Sequence, residues 1–336
     1  MFNIAASPKP PVFTARQLSV DGVPVVRLTD SKRGIEVTIL PSLGNIASEI
    51  KVHGKNILVF PDVNLSDFQK KPMQTGIPIL APWANRLDDN SFWANGKKYN
   101  FDMAVGNVRR DNGGLPIHGL LSGVAWEATR VGADRQSAFV TSRFEFWKHP
   151  DLMRQWPFAH TYEMSYRLAD GALEVRTTVT NLSEESMPLA VGFHPYYRIP
   201  DVPRDQWTLQ MPAKSAVVAD DRRVPTGEFK PVELPNPLPL KDHTLDDGFT
   251  DLERDAQGRA LFSIQSGEKR IELVFGPKYP VAVVWEPAGM DFICVEPMTG
   301  VTNAINLNHA GKYPGLQTIA AGGEWTESFW IHPVGF

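Results

Sequence analysis

The chain has 336 residues, of which 42% are hydrophobic, enough to build a large core. Its 34 basic and 38 acidic side chains give a net charge of −4, which argues against general binding to nucleic acid or anionic membranes, because such binding needs concentrated positive charge. The single cysteine, Cys294, excludes an intramolecular disulfide and a zinc cluster built from several thiolates.

The N-terminal segment does not have the pattern of a secretory signal. Residues 1–8 lack a charged start followed by a long apolar run, and no window of the chain approaches the ~18 consecutive apolar residues of a membrane span. We therefore expect a cytoplasmic protein with no membrane segment. Its single domain would span residues 1–336, with residues 1–12 as an extended tail.

Short strands joined by turns are the dominant pattern along the chain. Alternation of period two, in which successive side chains face opposite sides of a sheet, runs through four segments: 35–39, 92–101, 161–179 and 271–275. Asn95-Gly96 and Asp170-Gly171 supply the tight turns of two predicted hairpins, because these dipeptides accept the left-handed backbone of such turns. The sequence therefore indicates antiparallel sheets.

Helical patterns are scarce. Short helices are predicted only near Leu65–Lys70 and Asp151–Gln155, and no stretch of twelve residues sustains the spacing of a longer helix. Prolines in segment 230–239 favour an extended loop, but alternation continues beyond it, so we place no domain boundary there. The sequence predicts an all-β protein, a large antiparallel sandwich or closed sheet with few short helices.

Two histidines and one carboxylate have unusual neighbours. His118 follows the glycine-rich turn 112–114, and His194 stands between a predicted strand and a proline-started turn. Glu296 ends the apolar run 292–295, and a buried carboxylate costs several kcal/mol unless it is paired or functional. The alternatives are satisfied structural histidines and a glutamate that is solvated beyond the strand end.

Two further polar pairs are candidates for holding hydroxyl groups. Asn85-Arg86, next to Trp83, combines an amide and a guanidinium, although an ion-paired surface loop explains the pair equally well. Asp246-Asp247 precedes a glycine, where adjacent acids usually form a solvated turn.

A metal site is a separate hypothesis. His118, His194 and Glu296 together would suit iron or zinc, since two histidines and one carboxylate are suitable ligands. The chain has no short ligand spacing such as His-Glu-x-x-His. We therefore predict no metal and no other cofactor.

Six short motifs follow one another in a recognisable order. They are Asn85-Arg86-Leu87, the segment 96–101, Ile117-His118-Gly119, the segment 193–197, the segment 245–249 and Cys294-Val295-Glu296-Pro297. In this order they resemble the aldose 1-epimerase (galactose mutarotase) family over roughly residues 30–332. The resemblance implies a galactose mutarotase-like supersandwich, a large antiparallel β-sandwich with a sugar cleft on one concave face.

The resemblance also implies an activity. Members of the family are isomerases that interconvert the α and β anomers of free aldohexoses by ring opening and closure, without a cofactor. By motif position Glu296 resembles the general base and His194 the general acid. The implied substrate-binding residues are His118, Arg86, Asn85 and Asp246, with Asp247 as the competing alignment. The implied partner is a small sugar, with no nucleic acid or membrane, and the protein would be a monomer or a dimer.

Departures from the family pattern leave the substrate open. Gly119 is followed by leucine where many members have a second glycine, and the segments 76–80 and 156–158 resemble the branch that includes hexose-6-phosphate epimerases. Phosphate recognition needs extra arginine or lysine at the cleft. Arg109-Arg110 and Arg222-Arg223 are candidates, although solvated loops are the simpler interpretation. A carbohydrate-binding homologue without catalysis is the third alternative.

Overall fold

Strands make up most of the computed structural model, which describes residues 11–336. The predicted tail over residues 1–12 therefore lies almost wholly outside the described residues. The first half of the described chain contains β1 (Phe13–Val20), β2 (Val23–Asp30), β3 (Ile35–Leu40), β4 (Ile46–Val52), β5 (Lys55–Asn56), α1 (Leu65–Lys70), β6 (Ile79–Leu80), β7 (Ser91–Ala94), β8 (Lys97–Asn100), β9 (Glu127–Ala133), β10 (Ser137–Glu145), α2 (Pro150–Gln155), β11 (His160–Ala169) and β12 (Ala172–Asn181). The second half contains β13 (Met187–Leu189), β14 (Gly192–Phe193), β15 (Tyr196–Tyr197), β16 (Thr208–Gln210), β17 (Ala213–Ala219), β18 (Pro225–Pro231), β19 (Leu238–Pro239), β20 (Leu245–Leu252), β21 (Ala260–Ser266), β22 (Lys269–Phe275), β23 (Val281–Glu286), β24 (Ile293–Met298), α3 (Ala304–His309), β25 (Gln317–Ile319) and β26 (Glu324–Val334).

Three large antiparallel sheets organise these strands. The first has the order β1-β2-β3-β4-β5, and the second has the order β19-β16-β21-β22-β26-β12-β11-β10-β9. The third has the order β18-β17-β20-β23-β24-β14-β6, with β15 paired to β24 beside β14. The strand pairs β7-β8 and β13-β25 complete the sheets of the described residues. The predicted all-β sandwich with few short helices is confirmed.

The hairpin of β11 and β12 shows how the local sequence determines this pattern. The two strands pair in unbroken register from His160 opposite Asn181 to Ala169 opposite Ala172. Asp170 and Gly171 have φ angles of 50° and 82°, and the type I′ hairpin turn has positive φ at both central positions. The register therefore follows from the Asp-Gly turn, as predicted.

The helices are few and short. α1 and α2 lie where short helices were predicted, and segment 230–239 holds the end of β18, a loop and β19. α3 was not predicted, because its six residues are too few to display a helical period. Among residues 11–336, no helix combines the length and the apolar character that crossing a bilayer requires.

The eight-stranded sheet has one face in the main core and one face turned away from it. Phe249, Val284 and Val295 belong to the main hydrophobic core, together with residues of the other two large sheets. Phe193 packs on Phe329 of the nine-stranded sheet with ring centroids 4.8 Å apart. Because side chains alternate along a strand, the neighbours of these core residues point to the opposite face, and the polar cleft described below lies there.

Candidate active site

A cleft of about 490 Å³ lies on the outer face of the eight-stranded sheet. Six of the seven predicted site residues line it: Asn85, Arg86, His118, His194, Asp246 and Glu296. The seventh, Asp247, lines a neighbouring hollow of about 610 Å³ that contains neither histidine nor Glu296. The fold therefore gathers six predicted residues that are far apart in the sequence into one cleft.

His194 and Glu296 face each other because of strand register. Gly192 pairs with Met298 and Tyr196 pairs with Cys294, so the antiparallel register places His194 opposite Glu296. His194 Nε2 lies 3.3 Å from Glu296 Oε1, and the two residues are 6% and 1% exposed. Their other polar atoms, Nδ1 and Oε2, are buried without partners. The two atoms that face each other, Nε2 and Oε1, are close enough to exchange a proton.

Burial sets the protonation of this pair. Removal from water raises the pKa of Glu296 well above its ordinary value; the charge of Asp246 raises it further, and Arg86 opposes the rise. Burial lowers the pKa of His194 to about 3. Both directions favour one proton on the carboxyl group beside a neutral imidazole. This differs from the ion pair that a charged Glu296 next to His194 would form.

His118 forms the next wall of the cleft. Its backbone N–H donates to the carbonyl of Asn85 at 3.0 Å, and its ring meets the His194 ring edge-on with centroids 5.4 Å apart. Burial lowers its pKa well below the ordinary value, and the neighbouring His194, Arg109 and Arg86 lower it further. His118 is therefore a neutral ring that can donate a hydrogen bond or accept one.

Arg86 is held by a carboxylate that sequence reasoning did not identify. Its Nε donates to Asp111 Oδ2 at 2.7 Å, and one terminal nitrogen donates to Asn85 Oδ1 at 3.2 Å. Burial alone would raise the pKa of Asp111, but hydrogen bonds from Arg86 and from backbone amides lower it. The other terminal nitrogen is 4.0 Å from Asp246 Oδ2. The ion-pair and hydroxyl-binding interpretations of Asn85-Arg86 are thus compatible, because the paired guanidinium also lines the cleft.

One row of side chains crosses the floor of the cleft. Asp246 is paired with Trp285, Trp285 with Cys294, and Cys294 with Tyr196, so these residues occupy one line on the outer face. Trp285 is partly exposed, and both it and Tyr196 line the cleft. Trp83, which precedes Asn85-Arg86 in the sequence, is fully buried and stacks on Phe101. Trp285 is therefore the more exposed of the two aromatic rings that line the cleft.

Five arginines line the cleft: Arg86, Arg109, Arg110, Arg222 and Arg223. Arg222 pairs with Asp220, Arg223 lies 4.0 Å from Asp246, and Arg110 donates to the carbonyl of Gly114. Arg109 is exposed and has no side-chain partner among residues 11–336, although its charge lowers the pKa of both cleft histidines.

The metal hypothesis has a geometric test. Across residues 11–336, no three or more His, Cys, Asp or Glu side chains converge as a metal site requires. His118, His194 and Glu296 therefore share a cleft without forming a ligand set.

A family model and several known proteins match this chain. A family model described as aldose 1-epimerase matches residues 24–332. The uncharacterized protein YphB of Escherichia coli strain K12 is 24% identical over 236 residues, which cover 66% of this chain and 71% of YphB. A galactose mutarotase-like protein from Clostridium acetobutylicum has a TM-score of 0.85 at 24% identity, covering 96% of this chain and 98% of its own. Galactose 1-epimerase from Lactobacillus acidophilus NCFM has a TM-score of 0.73 at 14% identity, with coverages of 96% and 98%. At these identities the two structures show a common fold.

Proposed function

The chain belongs to the aldose 1-epimerase family, and from that premise we propose that it interconverts the α and β anomers of a free aldohexose. The observation that carries the proposal is the 3.3 Å approach of Glu296 Oε1 and His194 Nε2 inside a cleft lined by hydroxyl-binding side chains. One proton-accepting and one proton-donating group at the same point are what hemiacetal opening needs.

The reaction needs two proton transfers at adjacent oxygens. Glu296 takes the proton of the O1 hydroxyl while His194 gives a proton to the ring oxygen O5. The C1–O5 bond breaks and O1 becomes the aldehyde oxygen. After rotation about C1–C2, the O5 hydroxyl attacks the other face of C1, His194 takes the O5 proton, and Glu296 returns a proton to O1. The protein ends in its starting state.

The buried pair of Glu296 and His194 shares one proton, which is the number that this cycle needs. Burial favours that one proton on Glu296 in the resting site, and Glu296 would act as base after the proton has crossed the 3.3 Å to His194. Arg86 assists because its charge lowers the pKa of Glu296. When a sugar displaces water from the cleft, the donors of Arg86 and the neutral ring of His118 stabilise charge that develops on the sugar oxygens.

The pH dependence of the activity follows from the pKa shifts of Glu296 and His194. The one-proton state ends on the acid side when His194 takes a second proton, and burial lowers the pKa of that group to about 3. We therefore expect the acid limb of kcat/KM to lie below about pH 5 rather than near the ordinary histidine value of ~6.5. Polarimetry across pH, with the buffer rate subtracted, measures the limb. An acid limb near pH 6.5 would contradict the buried neutral pair.

Trp285 gives a prediction about binding. Its partly exposed ring offers an apolar face to the C–H face of a sugar, so Trp285→Ala is expected to raise KM about tenfold, equivalent to ~1.4 kcal/mol. The drop in kcat should be smaller, although the Trp285 ring also meets the His194 ring at 5.5 Å. Trp285→Phe keeps a flat ring and should stay within about threefold of the wild type. Equal KM values for Trp285→Ala and the wild type would exclude stacking on Trp285.

Polarimetric relaxation of freshly dissolved α-D-galactose and α-D-glucose tests the proposed function. Galactose is included because a structural relative is named galactose 1-epimerase. The wild-type protein should shorten the relaxation in proportion to its concentration. If it leaves the relaxation of every aldose and aldose phosphate at the buffer rate, the proposed activity is wrong. Thermal stabilisation by sugars without anomer exchange would support a binding protein instead.

A second candidate is epimerisation of an aldose that carries an anionic group, such as a hexose 6-phosphate. The exposed guanidinium of Arg109 and the four further arginines of the cleft favour it, because guanidinium groups are well suited to bind phosphate. Comparing D-glucose with D-glucose 6-phosphate separates the candidates. If Arg109 binds the anion, an Arg109→Gln variant should lose at least tenfold in kcat/KM with D-glucose 6-phosphate and little with D-glucose.

A further inference from the structure

Gln74 lines the cleft, but none of the sequence motifs includes it. It follows α1 and precedes β6, and its side chain is one of the walls beside Tyr196. Its amide nitrogen Nε2 is buried and has no hydrogen-bond partner among the described residues. A buried N–H without a partner is costly, and an oxygen of a ligand in the cleft would supply the missing acceptor.

The backbone around Gln74 is fixed by several hydrogen bonds. Thr75 Oγ1 donates to the carbonyl of Val59 at 2.7 Å, and the N–H of Gly76 donates to the same carbonyl at 2.9 Å. The carbonyl of Gly76 accepts from the N–H of Tyr196 at 2.9 Å. Gly76 has a φ of 64°, and a Cβ there would lie 2.4 Å from the carbonyl oxygen of Ala47. The Gln74 side chain thus projects from a segment held in one position.

Gln74 and Asp246 lie at opposite ends of the cleft floor. The row that begins at Asp246 passes through Trp285 and Cys294 to Tyr196, and Tyr196 is bonded to the Gly76 segment. A sugar over Trp285 would therefore have different atoms near Asp246 and near Gln74.

We propose that Gln74 binds the sugar substrate by donating from Nε2 to a hydroxyl oxygen other than the one held by Asp246. This inference rests on the proposed function for its ligand class, since the cleft must bind a sugar. The amide has no ionisable proton, so its hydrogen bond is available at every pH at which the enzyme works.

The test measures sugar binding and anomer exchange separately. Gln74→Ala is expected to raise KM, and the calorimetric Kd for D-galactose or D-glucose, about fivefold to tenfold, with kcat within about twofold of the wild type. Gln74→Glu, which keeps the size but cannot donate when ionised, should lose at least as much. Gln136→Ala, at an exposed turn position between β9 and β10, is the matched control and should behave as the wild type.

Deoxy sugars identify the bonded hydroxyl. With the 2-, 3-, 4- and 6-deoxy forms of the bound sugar, the penalty of Gln74→Ala should vanish for one analogue, because that sugar lacks the acceptor. Equal Kd values for the wild type and Gln74→Ala with every sugar would overturn the inference while leaving the proposed function intact. Sugar binding that weakens in Gln74→Ala without any anomer exchange in the wild type would support Gln74 and refute the proposed function. A wild-type protein that binds no sugar overturns both.

Discussion

Glu296→Gln is expected to lower kcat/KM for anomer exchange by about 10³-fold while the protein stays folded. A positioned proton-transfer group contributes ~10²–10⁴-fold, and the amide can neither take the O1 proton nor return it. The amide has nearly the shape of the protonated carboxyl group that burial favours at this position. Polarimetric rates over a range of substrate concentrations measure the loss, and circular dichroism confirms the fold.

The pH dependence of the free energy of unfolding provides an independent test of the same substitution. Burial raises the pKa of folded Glu296, so the folded state holds its proton where the unfolded chain, with an ordinary value near ~4.3, has released it. The contribution of Glu296 to wild-type stability therefore falls as pH rises from about 4.3 towards the raised folded pKa. Glu296→Gln lacks this penalty and should gain stability relative to the wild type across that window. If the difference in unfolding free energy between Glu296→Gln and the wild type narrows with rising pH, the carboxyl group is ionised in the folded protein.

Two comparisons make the activity result specific. Glu163→Gln, at an exposed position of β11 on the nine-stranded sheet, is the matched control and should retain full activity. His194→Gln should lose a similar factor to Glu296→Gln, and the double variant should lose little more than either single one, because the two groups act as one unit. Full activity in either single variant would disprove its assigned role.

Local sequence signals predicted those parts of the fold that depend on neighbours along the chain. The Asp170-Gly171 turn sets the register of β11 and β12. Alternation likewise explains why Glu296 leaves the core, since Val295 before it packs inward. The resemblance to a known family added the proposed roles of the site residues, which no turn or period could have supplied.

The remaining features depend on contacts between distant strands. Asp111 lies 25 residues from the guanidinium it binds, and no local pattern distinguishes it from other acids in turns. Asp246 and Asp247 are adjacent residues of the same type. Only the pairing of Asp246 with Trp285 shows that Asp246 lies on the cleft face. Nothing in the local sequence distinguishes Trp83 from Trp285, yet Trp83 is fully buried and Trp285 lines the cleft. Sequence reasoning alone cannot assign these faces, because they depend on the register between strands far apart in the chain.

Gly119→Ala is expected to be the most damaging single-methyl change near the site. Gly119 follows His118, and the two have φ angles of 68° and 62°, so the chain passes through the left-handed region twice in succession. A Cβ on Gly119 would lie 2.0 Å from the carbonyl oxygen of Ala81, which already accepts from the N–H of Leu120 at 2.7 Å. The backbone must move apart to admit the methyl group, and His118 moves with it.

A control glycine separates the energetic cost of this close contact from the cost of backbone strain alone. Gly119→Ala should lower the free energy of unfolding by more than about 3 kcal/mol, and any folded fraction should show reduced kcat because His118 is displaced. Gly96→Ala is the matched control: Gly96 has a φ of 72°, but a Cβ there would meet no atom within 4 Å, so the variant carries only the conformational penalty of ~1 kcal/mol. Urea unfolding of both variants measures the difference. Equal losses would mean that the chain around Ala81 yields to the extra methyl group, and that the position of His118 does not depend on this contact.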